Sequence, residues 1–223
     1  MKVKLISYSQ VPIHEIHHRD DYSSALDLIA YAARVSNPSN QNNKKTSAKL
    51  VKYLIKHKHW SPLEMVSACM EIETTRDIAR QILRHRSFSF QEFSQRYANP
   101  LEDLEFEVRE ARLQDEKNRQ NSIPADDELL QAQWEDKQRA VIEASKDAYT
   151  WAIDNNIAKE QARAVLPEGN TVSRMYMNGT LRSWVHYIEL RGANGTQQEH
   201  MDIAHAVAEV ISDIFPLIDE LDL

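Results

Sequence analysis

Four glycines in 223 residues constrain this chain more than any other feature. Gly169, Gly179, Gly192 and Gly195 cannot be arranged as G-x-G-x-x-G or as a Walker loop, which closes off Rossmann and P-loop nucleotide sites. A dinucleotide would have to be held by arginine forks, hydroxyls and helix N-termini instead. The densest chemistry is at Arg84 to Tyr97, R-H-R-S-F-S-F-Q-E-F-S-Q-R-Y. Arg84, Arg86 and Arg96 would repel one another this close together unless an anion sat among them.

The local pattern predicts a helix from Arg76 to Arg86, with Thr75 as cap, Ile78, Ile82 and Leu83 inside, and Gln81, Arg84 and His85 on another face. Beyond it the period falls to two. Glu92, Ser94 and Arg96 alternate with Phe93, Gln95 and Tyr97, as an extended segment with a polar and an aromatic side.

A hydrophobic content of 42% is enough for one core, and a single compact domain over 1–223 is expected. The formal charge of −7 and pI of about 5.7 weigh against a nucleic-acid partner, since only a local patch could attract a polyanion. No apolar run approaches the ~18 residues of a membrane span and no signal-peptide pattern appears, so a cytoplasmic protein without membrane contact is expected. Cys69 is the only cysteine, which excludes an internal disulfide and a C-x-x-C pair, so redox chemistry would need a borrowed cofactor.

Met1 to Tyr8 alternates like an edge strand, and Val66 to Glu73 alternates again. Amphipathic helices are read over Tyr22 to Arg34, capped by Ser23 or Ser24, and over Thr46 to Lys58. The stretch 98–125 is charged and reads as a surface excursion with one short strand through Phe106, Val108 and Ala111. A long helix follows over Asp126 to Ile153, its stripe Leu130, Trp134, Val141, Ala144, Ala148 and Ala152 serving core or subunit contact. A short helix over Lys159 to Leu166 ends at Pro167. Thr171 to Met177 is read as a strand, Asn178-Gly179 as a turn, and Thr180 to Arg191 and Gln197 to Leu217 as helices.

R-H-R, seven residues and then S-x-R is similar to the signature of the flavin-dependent thymidylate synthases; Arg84-His85-Arg86, Ser94 and Arg96 fill its places. The loop His59-Trp60-Ser61-Pro62-Leu63-Glu64 resembles the family's H-x-[ST]-P-[FL]-E. A-R-A-V-L-P from Ala162 and N-G-T-L-R-S-W-V-H-Y-I-E-L-R to Arg191 resemble its C-terminal half. Two departures stand out: Thr180 where many relatives have asparagine, and Gly195-Thr196-Gln197-Gln198-Glu199 where they have histidine followed by A-Q-x-E.

The resemblance implies a homotetrameric α+β enzyme with a central, mostly antiparallel sheet flanked by helices and flavin sites at subunit contacts. It would make thymidylate from deoxyuridylate (dUMP), with methylenetetrahydrofolate as carbon donor and NADPH reducing an FAD. By the same resemblance Gln81, Arg84, Glu92, Ser94, Gln95, Arg96, Arg163 and Arg191 hold dUMP, with Arg191 also activating the pyrimidine. Ser61, Arg84, His85, Arg86, Glu92, Thr180, Leu181, Arg182 and His186 hold FAD.

Other readings compete residue by residue. The pairs His14/His18, His57/His59 and His200/His205 lack H-E-x-x-H and an acidic third ligand, so no metal is expected. Cys69 lies within V-S-A-C-M-E-I-E and reads as a small structural hydrophobe, not a nucleophile. Ser94 has no histidine at motif spacing to serve as its base. The rival from another class is a noncatalytic nucleic-acid or nucleotide-binding protein using Arg84, Arg86 and Arg96 as a phosphate patch. A nucleotide hydrolase would need a carboxylate cluster for Mg²⁺, and the pairs Glu71/Glu73 and Asp126/Asp127 do not adjoin the arginines.

Overall fold

The computed structural model describes residues 1–10 and 24–216. In chain order its elements are β1 (Lys2–Tyr8), α1 (Ala25–Ala33), α2 (Ser47–Lys56), β2 (Ser67–Thr75), α3 (Arg76–Ile82), β3 (Ser89–Glu92) and α4 (Pro100–Asp103). There follow β4 (Arg112–Gln114), β5 (Ser122–Pro124), α5 (Glu128–Asp154), α6 (Lys159–Ala162), β6 (Val172–Thr180), α7 (Leu181–Arg191) and α8 (Gln198–Ser212). A 3-10 turn, Ser61–Met65, precedes β2. Tyr22, Ser23, His14, His18 and Leu217, named above, lie outside the described residues; Ser24 caps α1 by accepting from the Asp27 N–H.

The main sheet runs β1-β2-β6-β3 with every pair antiparallel, in keeping with the expected α+β class. Its register sets Val3 opposite Ile72, Met70 opposite Met177 and Met177 opposite Phe90, so strict alternation collects the apolar residues on one face. On that face Met70, Ile72, Met175 and Met177 are fully buried beneath Ile29 of α1, Val51 of α2, Ile78 and Ile82 of α3, Trp184 and Tyr187 of α7 and Val207 of α8. Each such side chain contributes roughly 1.5–3 kcal/mol of burial. The other face is polar: Cys69 opposes Asn178, Glu71 opposes Tyr176, and Glu73 accepts from Arg174 Nε at 2.7 Å.

Five sequence expectations need correction. The helix predicted to reach Arg86 ends at Ile82, where the N–H groups of Arg84 and His85 donate to Gln81 and Ile82, three residues back. The chain must leave the axis there to bring β3 alongside β6. The extended segment predicted through Arg96 ends with the Phe93 N–H donating to Arg174 O at 2.8 Å; Tyr97 and Ala98 then both donate to Ser94 O, closing a turn. β6 continues two residues further, to Val172, before Thr171 accepts the Arg76 N–H and bridges to Phe106, so the chain turns away from it before its end.

Asn178-Gly179 is not a turn but the end of β6. Glycine is needed there for a different reason: a Cβ on Gly179 would lie 2.4 Å from the Phe88 ring. The predicted stripe of α5 is also displaced. The structure buries Gln138, Ile142, Ser145, Tyr149 and Ala152, while Trp134, Val141 and Trp151 stay exposed.

The segment 98–125 holds α4 and the β4–β5 hairpin; of the strand expected through Phe106, Val108 and Ala111, only Phe106 makes a bridge. Two α5 glutamines grip it. Gln138 accepts from the Arg109 N–H and donates to Arg109 O, both at 2.8 Å, and Gln131 does the same at Ala111 and also donates to Ala125 O. Such paired bonds satisfy backbone groups that have no strand partner.

Candidate active site

α7 is the spine of the site. Thr180 caps it by accepting the Ser183 N–H at 3.3 Å, and Ser183 Oγ donates to Ser87 O at 3.1 Å, which ties the turn after α3 to the start of α7. The turn then lies along the helix: Phe88 meets Trp184 with ring centroids 4.7 Å apart, and His85 meets Tyr187 at 5.0 Å, both edge-on. At the far end Arg191 Nε donates to His85 Nε2 at 2.9 Å. A guanidinium cannot accept, so His85 carries its proton on Nδ1.

The surroundings of Arg191 are neutral. Burial, and then the charge of Arg191, push the His85 pKa down to about 4. Burial, Arg191 and His85 push His200 to about 3, and burial raises the Tyr187 phenol. Nearby arginines are paired: Arg76 and Arg80 with Glu168, Arg109 with Asp77, Arg112 with Glu199, Arg182 with Glu64. Among the described residues Arg84, Arg86, Arg163 and Arg191 have no carboxylate partner. Arg84 and Arg86 are exposed on either side of His85, and the half-buried Arg191 is bonded to that ring, so the positive charge gathered on this turn favours a bound anion.

Of the residues expected around a flavin, Ser61, Thr180, Leu181, Arg182 and His186 lie along the first turns of α7, whereas His85 lies against its far end and Glu92 beside Arg76 and Ser173. The Ser61–Met65 turn faces the first turns of α7, with the Trp60 ring 4.5 Å from His186 and Glu64 bonded to Arg182. Leu181 is fully buried and its N–H donates to Val66 O at 2.9 Å, so it shapes the wall through packing.

The remaining candidates lie toward the other end of α3, whose seven residues span about 10 Å. Glu92 accepts from Ser173 Oγ at 2.8 Å and lies 3.6 Å from Arg76, so it does not brace Arg84, Arg86 and Arg96. Arg96 is exposed and 3.5 Å from Glu160, and Ser94 Oγ accepts the Arg96 N–H. Gln95 is buried with its Nε2 lacking a hydrogen-bond partner. Arg163 follows α6 in a 3-10 turn, three residues from Glu160. One chain therefore brings together His85 and Arg191, but splits the expected nucleotide set between the two ends of α3.

His200 is fully buried with both ring nitrogens engaged, by Gln81 and Tyr187, and no three of His, Cys, Asp and Glu converge on one point among the described residues. Burial raises the Cys69 thiol pKa, the wrong direction for a thiolate nucleophile. A cavity of about 700 Å³ between the β4–β5 hairpin, the start of α5 and the α7–α8 loop is lined by none of the expected site residues.

Sequence reasoning missed several participants. Arg76, the first residue of α3, and Ser173 of β6 meet Glu92 only through the tertiary fold. Gln197, Glu199 and His200, which connect to Gln81, carried one signal, the Q-x-E at 197–199 already noted within a divergent stretch.

The family described as thymidylate synthase complementing protein matches residues 20–217. The chain is 48% identical over 218 residues to a probable flavin-dependent thymidylate synthase of Paramecium bursaria Chlorella virus 1, covering 98% of this chain and 97% of the relative. It is 50% identical over 191 residues to the flavin-dependent thymidylate synthase of Synechocystis sp., covering 86% of each. Among solved structures, a UMP/dUMP methylase, PolB of Streptomyces cacaoi, bound with 5-Br dUMP, has the same fold at a TM-score of 0.75 and 24% identity, covering 98% of this chain and 93% of that one.

Proposed function

The chain belongs to the thymidylate synthase complementing protein family, and from that premise we propose that it is a flavin-dependent thymidylate synthase, converting dUMP to dTMP with FAD as its cofactor. The observation that carries the residue assignments is the set Arg84, Arg86 and Arg191, cations without a carboxylate partner among the described residues, beside a neutral His85. An acidic protein that leaves these charges unpaired has a use for a small anion at that place.

In this reading Arg84, Ser94, Gln95, Arg96 and Arg163 bind the nucleotide with Gln81, and Glu92 orders the wall through Ser173 and Arg76. Arg191 holds a pyrimidine carbonyl and stabilises the negative charge that develops as N3 ionises, which makes C5 nucleophilic. His85, acting as an acceptor from Arg191, fixes the plane of that guanidinium. Ser61, Arg84, His85, Arg86, the capped start of α7 (Thr180, Leu181, Arg182), His186 and Glu92 hold FAD. They fit a phosphate-bearing cofactor in having Arg84 and Arg86 without a carboxylate partner and the N-terminus of an eleven-residue helix, in a chain without a glycine-rich loop. When bound, the flavin supplies the hydride that completes the methyl group, so the protein needs no cysteine nucleophile. Methylenetetrahydrofolate is the carbon donor and NADPH the reductant.

The separation of the nucleotide residues along α3 supports a site completed by other copies, and the exposed Trp134, Val141 and Trp151 of α5 give a homotetramer an apolar face to bury. No helix among the described residues is long and apolar enough to cross a membrane, which accords with a cytoplasmic enzyme. A spectrum of the purified protein with added FAD tests the reading. Flavin absorption that stays with the protein, and dTMP formed from dUMP, support it. A colourless protein whose binding to nucleic acid falls steeply with salt would replace it with the phosphate-patch alternative.

A further inference from the structure

A continuous line of hydrogen bonds runs behind the turn that carries Arg84. Arg112 bonds Glu199, whose Oε2 accepts from Gln197 Nε2 at 2.9 Å. Gln197 Oε1 accepts from Gln81 Nε2 at 2.8 Å. Gln81 Oε1 meets His200 Nδ1 at 3.2 Å, and His200 Nε2 meets the Tyr187 hydroxyl at 3.1 Å.

The direction of every bond follows from one end. Burial alone would raise the Glu199 pKa, but hydrogen bonds from its own N–H, Gln197 and Arg112 and the charge of Arg109 outweigh it and hold the carboxyl below its ordinary value. Glu199 is thus an acceptor only, so Gln197 must turn its NH₂ toward it and its oxygen toward Gln81. Gln81 must then present its NH₂ to Gln197 and its oxygen to His200. His200 must be neutral with its proton on Nδ1, and Tyr187 must donate to Nε2. Each amide that is otherwise free to flip has one orientation.

We propose that Gln197, Glu199 and His200 are positioning residues for the nucleotide: they lock the Gln81 amide so that the second N–H of its Nε2 is offered to an acceptor oxygen of dUMP. This rests on the reading that places Gln81 in the nucleotide site. With Gln197 taking one proton of that NH₂ and His200 filling one lone pair of the oxygen, a single donor remains and the flipped amide is excluded. A substrate oxygen meets a pre-set N–H and need not order it on binding.

The test uses holoenzyme reconstituted with FAD, with dUMP affinity measured by calorimetry and turnover in the full assay. Two substitutions at His200 separate positioning from filling space. His200→Asn sets an amide N–H near the place of Nδ1 and keeps the donor to Gln81, although it leaves a larger gap. His200→Gln fills the space better and reaches Tyr187, but loses the bond to Gln81.

Positioning predicts that His200→Asn binds dUMP within about threefold of the parent, while His200→Gln and Glu199→Gln each raise KM about tenfold with kcat changed less than about threefold. Packing predicts the reverse order at His200, and that order, or equal losses in the two variants, overturns the proposal. The Glu199→Gln variant is compared only if it retains FAD stoichiometrically; unchanged dUMP affinity in that holoenzyme overturns the proposal as well.

Gln81→Ala separates the two levels. If it leaves dUMP affinity unchanged, the placement of Gln81 and the proposal fall together. If it weakens dUMP while the His200 and Glu199 variants do not, the placement stands and the positioning chain alone is overturned. Repeating the titrations with deoxyuridine shows which oxygen is met: a loss confined to dUMP supports a phosphate oxygen, and a loss shared with the nucleoside supports one on the sugar or base.

Discussion

Arg191 Nε donates to His85 Nε2 at 2.9 Å, so the cation that ends α7 is steadied by an uncharged ring and keeps its full charge for whatever enters beside it. A carboxylate in the same place would orient the guanidinium as well but would cancel it.

Arg191→Lys keeps a positive charge at the helix C-terminus, whose worth is ~0.3–1 kcal/mol, and loses both the planar fork and the fixed bond to His85. Thermal stability should barely change while thymidylate formation falls on the order of a hundredfold or more. Reduction of bound FAD by NADPH, the proposed reductant, should be less affected, because it needs no ionised uracil. Normal turnover in the lysine variant would leave Arg191 only its place at the helix end.

The buried histidines make a pH prediction. His85 and His200 have folded pKa values near 4 and 3, well below the unfolded value of ~6.5. As pH falls through that window the unfolded chain takes up protons that the folded chain refuses, so stability is full above about pH 6.5 and declines below it. Urea unfolding at about pH 7.5 and about pH 5 should show the loss, and His200→Gln should shrink it by about one proton's share. A flat profile over that range would mean that both rings are protonated in the folded protein.

α7 and β2 were legible in the sequence because local signals agree there with burial: a capping threonine before a period of 3.6, and alternation that one core face enforces. The failures share a cause, a local signal overruled by a distant partner. Asn178-Gly179 has the composition of a turn, yet its glycine is there to admit the Phe88 ring. Leu83 to Arg86 continues a helical pattern, yet Ser183 and Arg191 of α7 hold that stretch as a turn. The α5 stripe was read on the wrong face because Gln138 and Ser145, polar by composition, are the residues turned inward. His85 and Arg191 were named from a resemblance, but nothing in the sequence showed that they touch.

Gly179→Ala tests the ring contact. The added methyl must displace Phe88, and through it the turn that carries Arg84 to Arg86. A loss of about 1–3 kcal/mol is expected from overpacking, with weaker FAD retention. Shortening the ring in the double variant with Phe88→Leu should recover part of both. Undiminished stability in the single variant would show that Phe88 moves aside freely.

Cys69 sits opposite Asn178 on the polar face of the sheet, with its thiol pKa raised by burial. Cys69→Ala should therefore keep thymidylate synthesis within about threefold. A loss beyond about a hundredfold in a folded, flavin-loaded variant, roughly 2.7 kcal/mol of barrier, would point to a thiol-dependent mechanism.

The glutamines that grip 98–125 divide that segment into a part that must keep its length and a part that need not. Between Arg109 and Ala111 the spacing is dictated by Gln138 and Gln131, seven residues apart on one helix, so an added residue there would pull one backbone pair out of reach. Between Asp115 and Asn121 the hairpin tip is closed on itself: Asp115 accepts from the N–H groups of Lys117 and Asn118 and from the Asn121 amide. For a builder, that tip is a grafting point. An epitope or a fluorophore inserted there would ride on a loop whose ends are already clamped, and the scaffold beneath would not have to change.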